Sequence, residues 1–443
     1  MSYASAIDQL NAMVPELYTR SGQPRRKFSL AEIRILLAAL GDPQLRFPAL
    51  LIAGTNGKGS TAATLASILT ASGLRAGLYT SPHLARVNER IRLDRVEIAD
   101  DAFAGLYFRV HGAARQLVLD GRLPQLPSFF EILTAQALLY FAEAGAQIAV
   151  LEVGMGGRLD ATNAVDPLLS IITDISLDHT EWLGSTIAAI TREKAGILRP
   201  CRALIALPQG PEVDQVLAEV AAGLGVRTVG AAAYMPSLPG AVGQYSIQAL
   251  GAAIEVDSPL SGAHQHRNLA LAIAAAVELA GKHGFPVTPA AIATGIRETR
   301  WPGRIERIPR DGGGEWILDV AHNPAGAWAL RAGLKAALAG QARPTLIFSC
   351  LRDKPAAEMA QILFPLFDQV IIAPIHTARA ASISDLIAAA RATGTPAVAA
   401  DSVAQALQLA GQRAGAGAIV ISGSVYLVGE ARALLLARKG QKP

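Results

Sequence analysis

The feature that most constrains the fold of this 443-residue sequence is a repeated alternation of short apolar runs with longer helical patterns. The run from Pro48 to Gly54 ends in the glycine-rich loop "TNGKGS", and a helical pattern then continues to Gly73. Further strand-like runs are "AGLYTS", "IAVLEVG", "LSIITDIS" and "RALIAL". Such alternation is typical of a parallel sheet covered by helices. The sequence therefore predicts an α/β protein.

The glycine-rich loop lies between a strand pattern and a helix pattern. In that setting backbone N–H groups and the helix dipole both face a bound phosphate. The loop departs from the common phosphate-loop pattern, because Ile52 stands where a glycine is usual and Gly59 where Ser or Thr follows the lysine. A glycine turn with a capping serine is the alternative interpretation. The predicted nucleotide contacts in the loop are Gly54, Thr55, Asn56, Gly57, Lys58, Gly59 and Ser60.

The alternation is interrupted near "RETRWPGRIERI", where Trp-Pro-Gly ends a helix pattern and opens a turn. Strand patterns resume at "WILDVAHN", "TLIFSC", "QVIIAP" and "AIVISGS". We therefore expect an α/β domain with a mostly parallel sheet over residues 1–298, and a second, smaller α/β domain over 304–443. Residues 228–256 alternate over shorter segments and are expected to form an antiparallel excursion before the helix "RNLALAIAAAVELAG".

Charge and cysteine content exclude several classes of protein. The 40 Lys and Arg residues nearly balance the 36 Asp and Glu residues, and no basic run occurs, so no nucleic-acid partner is expected. Cys201 and Cys350 make neither a disulfide framework nor a metal cluster. The start "MSYASAIDQL" does not resemble a signal peptide, and the longest uncharged stretch, 228–254, is broken by Pro and Gly. We expect a cytoplasmic monomer without a membrane partner.

A series of motifs carries a family resemblance. In chain order they are "AGTNGKGST", "YTSPHLARVNERI", "LEVGMGGRLDATN", "ISLDHTEWLGSTIAAITREKAGI", "WPGR", "LDVAHNP" and "ISGSVYLVGEAR". Together they resemble the folylpolyglutamate synthase/dihydrofolate synthase family of the Mur ligase superfamily, from about Ser29 to Arg432. The resemblance implies that the glycine loop is the phosphate loop of this superfamily, whose glycines are spaced differently from the common pattern. It also implies that residues 1–298 form a P-loop-type ATPase domain that binds ATP and pteroate, and that residues 304–443 form a smaller Rossmann-like ligase domain.

The resemblance also implies a reaction. Such a ligase uses ATP and magnesium, two ions being expected, to join L-glutamate to dihydropteroate, giving dihydrofolate, or to extend a reduced folate. The carboxylate passes through an acyl phosphate that the amine attacks. Family members with an aromatic segment such as "SFFE" often catalyse both reactions, so a bifunctional enzyme is expected. The alternative is folylpolyglutamate synthase alone.

The metal and catalytic residues follow from the same motifs. Glu152 ends a buried strand pattern, where a carboxylate is costly unless it meets a cation. The resemblance makes Ser81, Glu152 and His179 magnesium ligands, although a lone histidine before threonine is more often a loop or capping residue. Lys194 would ordinarily be a solvated helix lysine, but its family counterpart is carbamylated, which requires an unprotonated amine. The expected catalytic residues are Lys58, Glu152, His179 and Lys194.

The folate pocket is expected at two segments. Ser128-x-x-Glu131 is a capping box before an apolar run, and Phe129 and Phe130 follow its first residue as a candidate wall for a pterin ring. The family places its pteroate pocket here and at "RLDAT", for which a glycine-rich turn is the alternative. The predicted substrate contacts are Ser128, Phe129, Phe130, Glu131, Leu159, Asp160 and Ala161.

The remaining contacts come from motifs near the second domain. The resemblance assigns Asn268, Arg304 and Asp319 to the nucleotide, and the Arg304 guanidinium suits a phosphate because it can form paired hydrogen bonds. His322 and the "SGS" at 422–424 are candidates for the glutamate side, although a capping turn explains them equally well. Ser29 stands where the family often has glycine, which bears on the choice of folate.

Three other functions compete with this one. A peptidoglycan Mur ligase needs an N-terminal UDP-binding domain, and about fifty residues before the phosphate loop are too few for it. A regulatory module without catalysis predicts a damaged metal set, whereas all the expected residues are present. An RNA-binding role predicts salt-sensitive association without ATP, for which the sequence offers only its small positive charge.

Overall fold

The computed structural model describes residues 2–13, 29–237, 244–311, 313–338, 343–415 and 417–440. The strands are β1 Ala49–Ala53, β2 Ala76–Tyr79, β3 Ile91–Leu93, β4 Val96–Glu97, β5 Ile148–Glu152, β6 Pro167–Ile172, β7 Ala203–Ala206, β8 Arg227–Gly230, β9 Tyr245–Ala249, β10 Ala252–Val256, β11 Glu306–Pro309, β12 Glu315–Leu318, β13 Thr345–Phe348, β14 Gln369–Ile372, β15 Ala397–Ala399 and β16 Ile419–Ser422. The α-helices are α1 Tyr3–Ala12, α2 Leu30–Ala39, α3 Lys58–Ala71, α4 Asp100–Leu119, α5 Phe129–Glu143, α6 Thr180–Leu183, α7 Ile187–Ala195, α8 Pro211–Leu224, α9 Ala263–His283, α10 Pro289–Arg297, α11 Pro324–Ala337, α12 Ala356–Leu363, α13 Ile383–Ala392, α14 Val403–Arg413 and α15 Val425–Arg438.

The N-terminal part is built on an eight-stranded sheet with the order β4-β3-β2-β5-β1-β6-β7-β8. β2, β5, β1, β6, β7 and β8 are parallel, whereas β3 and β4 pair antiparallel at one edge. Every residue of β1 and β5 is buried, as expected for central strands with helices on both faces. Because β1 and β5 are neighbours, the phosphate loop and Glu152 emerge side by side at their carboxyl ends.

The C-terminal part is a six-stranded sheet with the order β11-β12-β16-β13-β14-β15. Among the pairings described for this second sheet, only β11–β12 is antiparallel. Apolar clusters cover both faces of each sheet. The predicted fold class, two α/β domains with mostly parallel sheets, is confirmed. The boundary we predict at 298–304 lies in the connection between α10 and β11.

The predicted antiparallel excursion is only partly correct. β9 and β10 form an antiparallel hairpin, as expected. Residues 227–230, however, form β8, which pairs parallel with β7 and extends the large sheet. This edge strand is largely exposed, so it lacks the continuous apolar run by which buried parallel strands are recognised. Pro239, one of the residues that interrupts the uncharged stretch, lies outside the described residues.

Local capping explains where several functional helices begin. The Ser29 hydroxyl accepts from the Ala31 amide and starts α2. The Ser128–Glu131 capping box predicted at the start of α5 is confirmed, since each side chain binds the other residue's backbone N–H. Within the described ranges, none of the helices combines the length and apolar character that spanning a membrane requires.

Candidate active site

The phosphate loop runs from the end of β1 to the start of α3, and two of its glycines have no room for a side chain. Gly54 has φ +153°, and a Cβ there would lie 1.8 Å from Thr173 Oγ1. Gly57 has φ +88°, in the left-handed region, and its Cβ would lie 2.1 Å from Asn268 Oδ1. Gly57 is therefore needed both for the turn and for the close approach of α9, and Gly54 for the close approach of Thr173 after β6.

Two lysines converge on this loop. The Lys58 ammonium donates to the carbonyl oxygens of Gly54 and Thr55, both at 3.1 Å. The Lys194 ammonium, on α7, donates to the same Gly54 oxygen at 2.7 Å. Burial and then the nearby Lys58 charge lower the pKa of Lys194 to about 7. A substantial fraction of this amine is therefore neutral near physiological pH, unlike that of a solvated lysine.

Glu152, at the end of β5, faces the Ser81 segment. Its carboxylate is 4% exposed and accepts from the Ser81 amide at 3.0 Å. Burial raises the pKa of Glu152, although Lys58, the Ser81 hydrogen bond and Arg304 oppose the shift. A nearby cation would stabilise the ionised form of this buried carboxylate.

His179 begins α6 with φ +50°, an unusual conformation for a residue other than glycine. Its backbone N–H donates to Asp178 Oδ1 at 2.9 Å. Burial lowers the pKa of His179 to about 4, so its imidazole is neutral at physiological pH and has a lone pair available for a metal ion.

The residues present fit a magnesium ion that is completed by non-protein ligands. Among the described residues no three His, Cys, Asp or Glu side chains form a metal cluster. The predicted set supplies only Glu152 and His179 of these types, together with the Ser81 hydroxyl. Magnesium keeps several waters and binds substrate phosphates, so it needs few protein ligands. The buried carboxylate of Glu152, next to the phosphate loop, satisfies that requirement.

The C-terminal part contributes a buried acid and a base to the same cleft. Asp319, at the end of β12, is 6% exposed and accepts from the amides of Ile305 and Ala321 at 3.0 and 2.9 Å. The Arg304 charge favours its ionised form, against a burial effect that raises the pKa of Asp319. His322 Nδ1 lies 2.8 Å from the Val320 oxygen, and burial lowers the pKa of His322 to about 4.

These groups line a cleft of about 350 Å³ between the two sheets. It brings together all the nucleotide, metal and catalytic residues predicted from the sequence, and it also contains His322. Those residues are Gly54, Thr55, Asn56, Gly57, Lys58, Gly59, Ser60, Ser81, Glu152, His179, Lys194, Asn268, Arg304 and Asp319.

A second cavity, of about 290 Å³, lies within the N-terminal part. The predicted substrate contacts that line it are Phe130, Glu131, Leu159, Asp160 and Ala161. Ser128 and Phe129 do not line it. Ser128 is engaged in the capping box, and the Arg90 guanidinium carbon lies 5.2 Å from the centre of the Phe129 ring. Ser29 does line this cavity.

The two cavities share a wall. Its residues are Ser81, Pro82, Gly154, Met155, Gly156, His179 and Leu183. A molecule in the smaller cavity and a nucleotide in the cleft would therefore meet beside Ser81 and His179, two of the three residues predicted to hold magnesium.

Several site residues were missed in the sequence analysis. Arg90 lines the smaller cavity, and its Nε donates to His83 Nδ1 at 2.9 Å, while burial lowers the pKa of His83 to about 3. His264 lines the cleft, and Lys354 makes an ion pair with Asp178. His83, Arg90 and Asp178 lie inside motifs that the analysis quoted, so their motif membership was an available signal. Lys354 lies in none of them.

Known protein families and individual proteins match this chain over most of its length. The Mur ligase middle domain matches residues 52–276, and the Mur ligase glutamate ligase domain matches residues 303–425. The chain is 34% identical to folylpolyglutamate synthase of Lacticaseibacillus casei over 384 residues, which cover 85% of this chain and 86% of that protein. It is 34% identical to dihydrofolate synthase/folylpolyglutamate synthase of Escherichia coli K12 over 365 residues, covering 81% and 80%.

Solved structures extend the likeness to the whole fold. Mycobacterium tuberculosis folylpolyglutamate synthase complexed with ADP superposes with a TM-score of 0.87 at 31% identity, covering 98% of each chain. Escherichia coli FolC in complex with DHPP and ADP superposes with a TM-score of 0.84 at 31% identity, covering 99% of each chain.

Proposed function

The chain belongs to the folylpolyglutamate synthase/dihydrofolate synthase family of Mur ligases, and from this membership we propose that it catalyses both reactions of that family. It is an ATP-dependent amide-forming ligase. One reaction joins L-glutamate to dihydropteroate and gives dihydrofolate. The other adds L-glutamate to the γ-carboxylate of a reduced folate.

The shared wall of the two cavities is the observation that carries this proposal. A ligase must bring the acceptor carboxylate to the terminal phosphate of ATP, and both are anions. The smaller cavity has the aromatic side chain of Phe130 and the carboxylates of Glu131 and Asp160, which suit a flat ring that carries hydrogen-bond donors. The cleft has a phosphate loop and Lys58, which suit a triphosphate.

In the proposed reaction an oxygen of the acceptor carboxylate attacks the γ-phosphorus, the bond to the β–γ bridging oxygen breaks, and ADP leaves. The glutamate nitrogen then attacks the acyl carbon, phosphate leaves with the former carboxylate oxygen, and the nitrogen loses a proton. Lys58 and Arg304 offset the charge that moves onto the leaving ADP. His322, which lines the cleft, remains our candidate for holding glutamate. Ser422 and Ser424 are buried and line neither cavity, and the Ser424 hydroxyl caps α15.

Ser81, Glu152 and His179 would hold magnesium, with two ions in the full proposal. When bound, magnesium offsets charge on the phosphates and on the acceptor carboxylate. The burial of Glu152 supports this role, because an ionised carboxylate there needs a cation. We also propose a cytoplasmic monomer whose partners are small molecules, testable by its mass in solution.

We propose that Lys194 is carbamylated. Its neutral nitrogen attacks CO2 and loses a proton, and the product is a carbamate anion. The pKa of about 7 supports this chemistry, since the neutral amine fraction rises as the pH increases through 7. Activity and incorporation of ¹³C from labelled bicarbonate should therefore both rise with pH across this range. Lys194→Arg, which has no neutral amine, should show neither incorporation nor full activity. Full activity after removal of CO2 would refute the modification.

The bifunctional proposal is tested by ADP release with ATP, Mg²⁺ and L-glutamate. One reaction contains dihydropteroate, the other tetrahydrofolate, and Lys58→Ala accompanies both. We expect turnover with each acceptor and a loss of about 10²- to 10³-fold in the variant, as for removal of a group that stabilises transition-state charge. Turnover with tetrahydrofolate alone would establish the monofunctional alternative. No turnover with either would refute the ligase assignment.

A further inference from the structure

Two side chains of the C-terminal domain, Lys354 and Asn323, contact the N-terminal domain beside the active site. Lys354, in the loop after β13, donates to Asp178 Oδ1 at 2.7 Å, and the two side chains are 6% and 11% exposed. Asn323, at the start of α11, donates from Nδ2 to Asn56 Oδ1 of the phosphate loop at 3.0 Å. Neither Lys354 nor Asn323 has a role in the reaction proposed above.

The ion pair differs from the others that the structure describes. It joins the N-terminal part to the C-terminal part, whereas the other pairs among the described residues lie within one part. It is also the most buried of them, the next being Arg432–Glu306 at 17% and 21% exposure. Removing ions from water is costly, and a buried pair is more often retained for a specific geometry than for stability. The burial therefore favours a positioning role.

Asp178 connects Lys354 to the metal site. Its Oδ1 accepts both from Lys354 and from the backbone N–H of His179, the residue held at φ +50°. A non-glycine residue in this region persists only where its surroundings hold it. The Asp178 carboxylate is such a constraint, and Lys354 fixes its position.

Asn323 connects the same carboxylate to the phosphate loop. Its Nδ2 donates to Asp178 Oδ2 at 3.3 Å as well as to Asn56. Its Oδ1 caps α11 by accepting from the Gly326 amide at 2.8 Å. With 2% exposure, this amide is fixed by the helix that it caps. One C-terminal side chain therefore contacts both the phosphate loop and the His179 segment.

We propose that Lys354 and Asn323 are positioning residues that act as a latch between the domains. When the domains are together, Lys354 and Asn323 hold Asp178, and with it the His179 backbone, while Asn323 also holds Asn56. When the domains separate, the contacts of both side chains are lost and the 174–183 segment is released. The part played by His179 rests on the proposed function, whereas the mechanical coupling does not.

Hydrogen exchange of the ligand-free full-length enzyme tests the coupling. Lys354→Met keeps the length of the side chain but removes its charge. We expect amide exchange across residues 174–183 to become about tenfold faster, a coupling of the size found between contacting charged residues. Peptides from β13 and β14 should not change. Lys354→Arg should restore most of the protection.

Arg379→Met is the matched control, because it removes the Arg379–Asp353 ion pair, of 2.8 Å, next to Lys354 but within one domain. Exchange at 174–183 should be unaffected. Unchanged exchange there in Lys354→Met, or equal increases in both variants, would overturn the latch. If Lys354→Met does not fold, Lys354→Gln is judged by the same comparison.

Kinetics provide a second readout. We expect Lys354→Met to lower kcat by about 10- to 100-fold for either acceptor, as displaced catalytic groups do, with a smaller change in KM for ATP. An effect confined to KM would contradict positioning of the metal segment. The hydrogen-exchange experiment contains no substrate. Its result can therefore be interpreted even if the ligase assignment is wrong.

Discussion

The two cavities of this molecule are lined by different parts of the chain and by different kinds of side chain. The cleft of about 350 Å³ is lined from both sheets and is rich in backbone amides and cationic side chains. The cavity of about 290 Å³ is lined from the N-terminal part alone, and its lining includes aromatic, acidic and arginine side chains. Under the proposed function, nucleotide binding depends on the arrangement of the two domains, whereas the shape of the acceptor cavity does not. Substitutions in the cleft, in the cavity and beside their shared wall should therefore have three different kinds of kinetic effect.

The largest effect is expected at Glu152, which lines the cleft and accepts from the amide of Ser81 in the shared wall. Glu152→Gln keeps the acceptor for the Ser81 amide but removes the charge that would meet magnesium. We expect kcat to fall about 10²- to 10³-fold with both dihydropteroate and tetrahydrofolate, the range for losing electrostatic stabilisation. Burial raises the pKa of Glu152, so the folded protein favours a neutral group here, and the melting temperature should not fall. A loss with one acceptor only would contradict a common wall.

The second-largest effect is expected in the cleft, on KM for ATP. Gly57→Ala combines a left-handed backbone with a collision at Asn268 Oδ1, and we expect KM for ATP to rise about 10- to 100-fold, since strain of this kind costs about 1–3 kcal/mol. Gly73→Ala is the matched control, with φ +81° and no atom within 4 Å of the added Cβ. It should lower stability and leave the kinetics unchanged. If Gly73→Ala raised KM for ATP as much as Gly57→Ala does, backbone strain alone would be responsible, and not the collision with Asn268.

The sequence predicted the cleft more completely than the cavity, for a physical reason. A phosphate loop is a local structure, and its order of strand, loop and helix is visible in consecutive residues from Pro48 to Gly73. The exposed edge strand β8 has no comparable pattern, and its pairing with β7 was missed. The ion pair between Asp178 and Lys354 spans 176 positions, and neither residue type indicates a distant partner.

The acceptor cavity illustrates the same limit with two neighbouring residues. Phe129 and Phe130 are indistinguishable by composition, and both were predicted to form the aromatic wall. The direction of each side chain at the start of α5 decides the matter, and only Phe130 lines the cavity. Which face of the helix turns inward depends on the packing of Phe130 against Tyr79, with ring centres 5.9 Å apart. That contact is not visible in the local sequence.

The third prediction uses this pair to test the cavity. Phe130→Leu should raise KM for the pteroate or folate acceptor by about tenfold, because aromatic contacts are worth about 0.5–1.5 kcal/mol beyond burial. KM for ATP should not change. Phe129→Leu is the control and should leave both KM values near those of the unmodified protein. If Phe129→Leu has the larger effect on the acceptor, the assignment of the cavity is wrong.

The smallest effect is expected at Ser29, where the family often has glycine. Ser29 lines the acceptor cavity and also caps α2, so its two roles must be separated. Ser29→Gly should cost only a few tenths of a kcal/mol in stability, whereas Ser29→Ala should cost about 1 kcal/mol, because glycine is tolerated at a helix N-cap and alanine is not. Both remove the hydroxyl from the cavity. If the hydroxyl selects the acceptor, both variants should change the ratio of kcat/KM for dihydropteroate and tetrahydrofolate equally, by about two- to fivefold, within the range of a single hydrogen bond. If the ratio instead follows the loss of stability, the position of α2 controls the preference, and the serine acts through the helix that it begins.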